Sequence, residues 1–285
     1  MKAVKRGLLV LCAAMVLAGC SDKSQEEQYK IAQAEKEQRE AREKSQNGQE
    51  FREKEEALAK EEAAGQKEPG SEKIKGKQKV IVLDPGHSAV IPEGNEPLGP
   101  GASEFKPADT SGTSGVVTGV PEYELTLHIS VILKKELENR GYMVLMTRET
   151  NDVSVSCMQR AETANNAKAD AFVRIHANGA EEQSAQGAMT ICTTPQSPYV
   201  PELYAASRRL AECIINKLCE AAGSENDGVL ETDSMSGNNW SKVPATIVEV
   251  GYMTNPGEDM LMQTSEYQEK IVQGIAEGLD VFFGD

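Results

Sequence analysis

Short apolar, β-branched runs alternate with longer segments of helical periodicity along the second part of this 285-residue chain. Runs bounded by Gly, Pro or Asn predict strands, whereas apolar positions recurring every three to four residues predict helices. The predicted strands cover residues 80–83, 142–146, 171–175, 187–192 and 246–250, and the predicted helices cover residues 122–140, 156–167, 199–222 and 265–283. This alternation predicts a single α/β domain: a mainly parallel, mixed sheet of about five to six strands with helices on both faces.

Histidines stand directly after two of the predicted strands. The run 80–83 leads into an Asp-Pro-Gly-His sequence that ends at His87, and the run 171–175 leads into His176. In open α/β sheets, ligands bind beyond the carboxyl ends of the strands. We therefore expect both imidazoles to face one crevice, although on this pattern alone each could equally cap its strand by local hydrogen bonds.

Two glutamates extend the candidate site. Glu249 lies inside the apolar run 246–250, where an ionised carboxylate is costly unless a charge, a metal or hydrogen bonds compensate it. Glu122 opens a predicted helix directly after Pro121, and an acid in the first helical turn is also favoured by the helix macrodipole. That local explanation covers Glu122 but leaves Glu249 and the histidines unexplained.

Ordered motifs from about residue 78 to residue 283 resemble the zinc-dependent N-acetylmuramoyl-L-alanine amidases of the type called Amidase_3. The matching pieces are VLDPGH at 82–87, EYELTL at 122–127, LENRGY at 137–142, TR at 147–148, Arg160, AN at 164–165, ADAF at 169–172, IHAN at 175–178 and VEVGYMTNP at 248–256. The resemblance implies hydrolysis of the amide bond between N-acetylmuramic acid and L-alanine in peptidoglycan. It further implies that His87, Glu122 and His176 bind one Zn²⁺ per chain and that Glu249 is catalytic.

The residue types suit this chemistry. Catalytic zinc is typically held by three protein ligands, often two histidines and a carboxylate, with a fourth position kept for water. Zinc lowers the pKa of bound water and polarises carbonyl groups, and Glu249 would take the proton of the attacking water and return it to the departing amine. His128 is not expected to be a ligand, because six residues on a helix place it on a different face from Glu122.

Three more residues are candidates for contacts around the metal or the substrate. Asp84 either orients a metal ligand or serves as a turn residue before Pro-Gly. Arg174, where the family commonly has a small residue, alternates with core-facing neighbours and points to the other face or to the cleft mouth. It either forms a structural ion pair or contacts a substrate carboxylate. Asn178, two residues after His176, is a possible ligand-orienting or substrate-contacting residue.

The stretch 88–120 connects two of the proposed ligands. It is rich in Gly, Pro, Ser and Thr, and it begins with Ser88 where the family more often has Gly. This composition predicts a long loop without secondary structure, and such loops in compact domains are usually functional or disordered. We expect the loop to wall the substrate groove.

The amino terminus predicts a lipoprotein signal. Three basic residues precede the apolar stretch 8–17. Its last residue begins the sequence Leu-Ala-Gly-Cys, which ends at Cys20. This is the pattern of a secretory signal and is too short for an ordinary membrane-spanning helix. The ending resembles a bacterial lipobox, which implies removal of a signal peptide at 1–19, lipid attachment to Cys20 and anchoring at the extracytoplasmic face of the cell membrane. The alternative is a plain signal peptide with an incidental cysteine.

The rest of the chain consists of two regions that differ in their balance of acidic and basic residues. Residues 20–76 predict a charged linker, helical or disordered, because they lack a recurring apolar face; residues 21–76 hold 15 acidic and 12 basic side chains. Residues 77–285, the expected zinc amidase domain, hold 30 acidic and 15 basic side chains. This acidity argues against binding of nucleic acid through bulk charge and suits a neutral-sugar, short-peptide substrate. We expect a monomer.

Two other functions remain open at the level of the sequence. One is a catalytically inactive cell-wall-binding domain, which the four-residue set disfavours because binding alone needs no general base. The other is zinc hydrolysis of a different amide, by a peptidase or a deacetylase, and the ligand set does not distinguish this reaction from muramoyl amide cleavage. The disulfide state of the four cysteines beyond Cys20 is also open.

Overall fold

A computed structural model describes residues 78–284. The predicted signal peptide, Cys20 and the linker up to residue 76 lie outside the described residues. The strands are β1 (Val80–Pro85), β2 (Asn95–Pro97), β3 (Phe105–Pro107), β4 (Met143–Met146), β5 (Ala171–Asn178), β6 (Ala188–Cys192), β7 (Asn226–Glu231) and β8 (Ala245–Tyr252). The helices are α1 (Glu122–Asn139), α2 (Cys157–Ala167), α3 (Tyr204–Ala222), α4 (Ser236–Asn239), α5 (Pro256–Met262) and α6 (Ser265–Phe283), with a 3₁₀ turn at Pro201–Leu203.

Six strands form one sheet in the order β4-β1-β5-β8-β6-β7. The four strands β4, β1, β5 and β8 are parallel, β6 is antiparallel to β8, and β7 is parallel to β6. The predicted α/β domain with a mainly parallel, mixed sheet is therefore confirmed. The strand β7 was not predicted, because its sequence NDGVLE lacks an apolar run and its side chains lie at the sheet edge with little burial.

Both faces of the sheet are covered, which is why the central strands are mostly apolar. One face carries the larger core, where Ile81 and Leu83 of β1 pack with α1, α3 and α6. The other carries a smaller core in which Val82 and Phe172 pack against Ala161 of α2. Alternate residues of one strand thus enter different cores, as the two-residue period of a strand requires.

The segment 88–120 is not the structureless loop that its composition predicts. It contains the antiparallel pair β2 and β3, and the buried Glu96 accepts hydrogen bonds from Ser236 Oγ (2.7 Å) and the Met158 amide (3.0 Å). The Trp240 indole donates to the Pro97 carbonyl at 2.9 Å. Strands of three residues are too short to show periodicity, and contacts with distant parts of the chain hold them.

No helix within residues 78–284 combines the length and the apolar character needed to cross a bilayer. The four cysteines of the same residues, Cys157, Cys192, Cys213 and Cys219, are free thiols.

Candidate active site

The carboxyl ends of three neighbouring strands bring the predicted site residues together. His87 follows β1, His176 lies on β5, and Glu249 lies on β8 directly opposite His176 in the parallel register. Parallel strands end at the same edge of a sheet, so side chains far apart in sequence share one crevice there.

Glu122 completes a cluster of potential metal ligands at this edge. His87, Glu122 and His176 each offer one ligand atom, and these atoms lie within 4.8 Å of one another. Glu122 Oε1 is 3.0 Å from His176 Nδ1 and 3.4 Å from His87 Nε2. The two imidazole rings meet edge to face with centroids 4.9 Å apart. The three side chains predicted as ligands therefore converge on one point.

Backbone amides hold the Glu122 carboxylate from both sides. Oε1 accepts from the Ala177 amide (3.1 Å), and Oε2 accepts from the Thr113 amide (2.9 Å). These donors belong to β5 and to the end of the segment 88–120. The glutamate that opens α1 is thus oriented by two separate parts of the chain, and the local helix-start explanation does not account for these contacts.

Burial and hydrogen bonding shift the pKa values of all three side chains in the cluster. Burial lowers the pKa of His87, but hydrogen bonds to Asp109 and Glu122 outweigh it and raise that pKa to about 10. Burial also acts against ionisation of Glu122, yet the two histidines hold the pKa of its carboxyl well below the usual range. At His176, burial and the nearby His87 lower the pKa, so this imidazole stays neutral and able to donate a lone pair.

Glu249 is an acidic residue of this edge that forms no ion pair among residues 78–284. Its Oε2 is buried and has no hydrogen-bond partner within the described part of the chain. Burial and the neighbouring Glu122 charge raise the pKa of Glu249 to about 8 and outweigh the nearby positive charges of His87 and Arg174, which lower it. A carboxyl group that titrates near neutral pH can both take and return a proton, as general acid–base catalysis requires.

The cluster opens into a cleft of about 500 Å³. Gly86 and Gly112 leave space for the side chains of the cluster. A Cβ atom on Gly86 would lie 2.5 Å from His176 Nδ1, and a Cβ atom on Gly112 would lie 2.5 Å from Glu122 Oε2. The cleft is lined by His87, Gly112, Thr113, Glu122, His176, Ala177, Asn178, Gly179, Ala180, Glu181, Glu249 and Thr254. The end of the segment 88–120 therefore forms part of its wall.

The donor set fits a catalytic zinc ion. Two imidazoles and one carboxylate are a ligand combination that such sites use. A second buried polar atom of the cleft, His176 Nε2, also lacks a hydrogen-bond partner among residues 78–284. Unpaired buried polar atoms are costly, and a cation among these groups would offset that cost.

Comparison with known proteins identifies the family of this chain. Residues 81–281 match the model of the Amidase_3 family, described as N-acetylmuramoyl-L-alanine amidase. The chain belongs to the Amidase_3 family. LytC, an N-acetylmuramoyl-L-alanine amidase of Bacillus subtilis (strain 168), is 31% identical over 166 residues, which are 58% of this chain and 32% of LytC.

Two more similar proteins extend the comparison. LytH, a probable cell wall amidase of Staphylococcus saprophyticus, is 28% identical over 207 residues, which are 73% of this chain and 59% of LytH. The crystal structure of the N-acetylmuramyl-L-alanine amidase Ami1 from Mycobacterium smegmatis superposes with a TM-score of 0.65 at 26% identity, covering 72% of this chain and 97% of Ami1. The chain thus spans about a third of LytC and 59% of LytH.

Asp84 and Arg174 of this Amidase_3 domain belong to a buried ion-pair network. Asp84 Oδ2 accepts from Arg174 Nε (2.8 Å), and Asp84 Oδ1 accepts from Arg160 Nη1 (2.9 Å) and Thr147 Oγ1 (2.5 Å). Arg174 does not line the cleft. Its contacts match the structural ion pair rather than a substrate contact, and Asp84 joins two arginines instead of touching an imidazole.

Two arginines clamp the backbone of the Asp-Pro-Gly-His motif. Arg160 donates to the carbonyls of Pro85 (2.7 Å) and His87 (2.9 Å), and Arg148 donates to those of Pro85 and Gly86, both at 3.0 Å. His87 itself adopts φ = +57°, a conformation uncommon for residues other than glycine. The motif carbonyls are thus satisfied while the chain turns sharply out of β1.

Asn178 and His128 have different surroundings. Asn178 lines the cleft, and its Oδ1 accepts from the Gly179 amide at 2.8 Å. His128 is buried in α1 and does not belong to the ligand cluster found among residues 78–284.

Asp109 is a residue of the site that sequence reasoning missed. It lies in the segment 88–120, and its Oδ1 is 3.0 Å from His87 Nδ1. A single Asp in a polar stretch gives no periodic or motif signal, so only the packing of that segment against the sheet reveals this contact.

Proposed function

We propose that this chain is a zinc-dependent N-acetylmuramoyl-L-alanine amidase that cleaves peptidoglycan. The observation that carries the proposal is the placement of the unpaired Glu249 carboxylate in the same cleft as the cluster of His87, Glu122 and His176. A ligand set beside a separate carboxylate that forms no ion pair supplies both a metal site and a proton carrier.

The chain's own groups have distinct tasks in this reaction. His87, Glu122 and His176 would hold the metal, and the Ala177 and Thr113 amides keep the Glu122 carboxylate in place. Zinc, when bound there, supplies Lewis acidity that polarises a carbonyl and makes water more acidic. Glu249 Oε2 accepts the proton as the water oxygen adds to the lactyl carbonyl carbon of N-acetylmuramic acid. It returns that proton to the alanine nitrogen as the carbon–nitrogen bond breaks, leaving a free amine and a carboxylic acid, which then ionises to the carboxylate.

We further propose where the chain is located and that it acts as a monomer. Lipid attachment to Cys20 would anchor the chain to the extracytoplasmic face of the cell membrane, with the linker at 20–76 extending the amidase domain at 77–285 towards the wall. The chain would act as a monomer. The lipobox-like ending at Cys20 and the charged, apolar-poor linker support this arrangement.

The carboxylate Glu249 also separates amide hydrolysis from the binding-only alternative. A domain that only recruits partners to the wall has no use for a buried carboxylate beside a metal site, where its charge is costly. Hydrolysis of a different amide, by a peptidase or a deacetylase, would use the same residues on another substrate. Analysis of the reaction products distinguishes these activities.

The test compares Glu249→Gln with Glu96→Gln in the full chain. Both variants replace a glutamate of low exposure by its neutral isostere, but Glu96 bonds Ser236 and the Met158 amide instead of lining the cleft. We expect Glu249→Gln to keep about one zinc per chain and lose hydrolysis of muropeptides by roughly two to four orders of magnitude, the range for a general base. Glu96→Gln should keep its activity.

The readouts are metal content, circular dichroism and mass spectrometry of the released ends. Unchanged hydrolysis by Glu249→Gln would remove this residue from the mechanism. Loss of zinc together with activity would make it a ligand. Wild-type products cut at a peptide bond or an N-acetyl group would identify a different amidohydrolase.

A further inference from the structure

Asp109 links the imidazole of His87 to the buried ion-pair network. One carboxylate oxygen, Oδ1, lies 3.0 Å from His87 Nδ1, and the other, Oδ2, lies 3.1 Å from Arg160 Nη2. The side chain is only 5% exposed. A buried carboxylate between a histidine and an arginine is well placed to orient the histidine.

The contact bears on which ring nitrogen of His87 is available. His87 Nδ1 is also 2.9 Å from the Thr110 carbonyl oxygen, and a carbonyl oxygen can only accept. A proton on Nδ1 therefore satisfies both neighbours, and in the neutral ring that binds a metal it leaves the lone pair on Nε2, the nitrogen 3.4 Å from Glu122 Oε1. Outer carboxylates or carbonyls commonly fix the tautomer of a metal-binding histidine in this way.

Asp109 is itself held in place. The Arg160 side chain is fully buried and bonds Asp84 Oδ1 at 2.9 Å, in addition to the Pro85 and His87 carbonyls. The Thr110 amide donates to Asp109 Oδ1 at 2.7 Å. The same guanidinium thus fixes the His87 backbone and faces the carboxylate that contacts the His87 ring.

We propose that Asp109 is a positioning residue for the metal site: it orients the His87 imidazole with Nε2 towards the ligand cluster and strengthens metal binding by its negative charge. This inference rests on the proposed zinc site. It gives the segment 88–120 a role beyond lining the cleft, because the segment supplies the Asp109 carboxylate, which contacts the ring nitrogen of His87 that does not face the ligand cluster. Thr110 provides a neutral acceptor at the same nitrogen, so the specific contribution of Asp109 is its charge.

The test measures zinc affinity of the full chain by competition with a chromophoric chelator. Asp109→Asn keeps the size of the side chain and an acceptor oxygen but removes the charge, and we expect zinc binding to weaken by about 10- to 100-fold, the usual cost of losing such an outer partner. Glu96→Gln removes a carboxylate from the same segment without touching His87, and its zinc affinity should stay within about two-fold of wild type. Equal affinity of Asp109→Asn and wild type would overturn the proposal, and so would equal weakening of both variants.

A measurement on the unaltered protein covers the case in which Asp109→Asn fails to fold. With ¹⁵N-labelled histidine and bound zinc, the His87 ring should show a protonated Nδ1 and a metal-bound Nε2. Metal on Nδ1 would refute the positioning role even if the zinc site exists. Wild-type chain that binds no zinc would instead refute the zinc site of the proposed function.

Discussion

Replacement of Asp84 by Asn tests the buried network that supports the active-site edge. Asp84 is fully buried, and its two carboxylate oxygens bond two arginines whose side chains are 0% (Arg160) and 4% (Arg174) exposed. Asp84→Asn preserves the shape of the side chain but removes the negative charge between them. Arg160 keeps Asp109 as a second ion-pair partner, whereas Asp84 is the only carboxylate of residues 78–284 in an ion pair with Arg174.

The expected loss of stability arises because Asp84→Asn leaves the buried Arg174 without an ion-pair partner. Removing one partner of a buried ion pair costs about 3–5 kcal/mol, because the other charge stays buried without compensation. For a domain of this size, each kcal/mol lowers Tm by roughly 2–4 °C, so we expect a decrease of roughly 6–20 °C. Glu266→Gln is the matched control: its pair with Lys270 lies on the surface of α6 with side chains 81% and 46% exposed, and Tm should not change.

The pH dependence supplies a second readout. Burial raises the pKa of Asp84, but the charges of Arg160 and Arg174 outweigh it and hold that pKa well below its usual value of 3.8. The network therefore stabilises the fold fully above about pH 5, and its contribution is lost as the pH falls below about 4 towards the folded-state pKa. The Tm difference between wild type and Asp84→Asn, followed by circular dichroism, should be constant above pH 5 and shrink in acid. A Tm within 2 °C of wild type at pH 7 would refute the assignment of this network as a major source of stability.

Three further predictions address the metal, the cleft and the anchor. His176→Ala should lose zinc and activity, whereas His128→Ala, buried on α1 outside the ligand cluster, should keep both; equal metal content measured by mass spectrometry would show that the histidines are wrongly assigned. Gly86→Ala should also lose zinc while remaining folded, because its Cβ would meet the His176 ring, and metal content equal to wild type would show that the ring has room to move. Cys20→Ser should move the chain from the detergent phase to the aqueous phase in a detergent partition; wild-type chain found in the aqueous phase would contradict lipid anchoring.

The sequence by itself determined the features that depend on local burial. Apolar runs identified the central strands, because a strand covered on both faces has no polar side to show. The same runs placed His87 and His176 at strand ends and exposed Glu249 as a charge inside an apolar segment. The sharing of one sheet edge by the ends of β1, β5 and β8 then followed from the parallel α/β arrangement.

Only the tertiary structure decided which of these groups meet and what holds them. The partner of Arg174 is Asp84, 90 residues away, and the amide that fixes Glu122 Oε1 belongs to Ala177, 55 residues away. Asp109 reaches His87 because the segment 88–120 packs against the sheet. Hydrophobic periodicity reports which face of an element is buried but carries no information about the partner of a buried charge, since that choice is made when strands and loops close against one another.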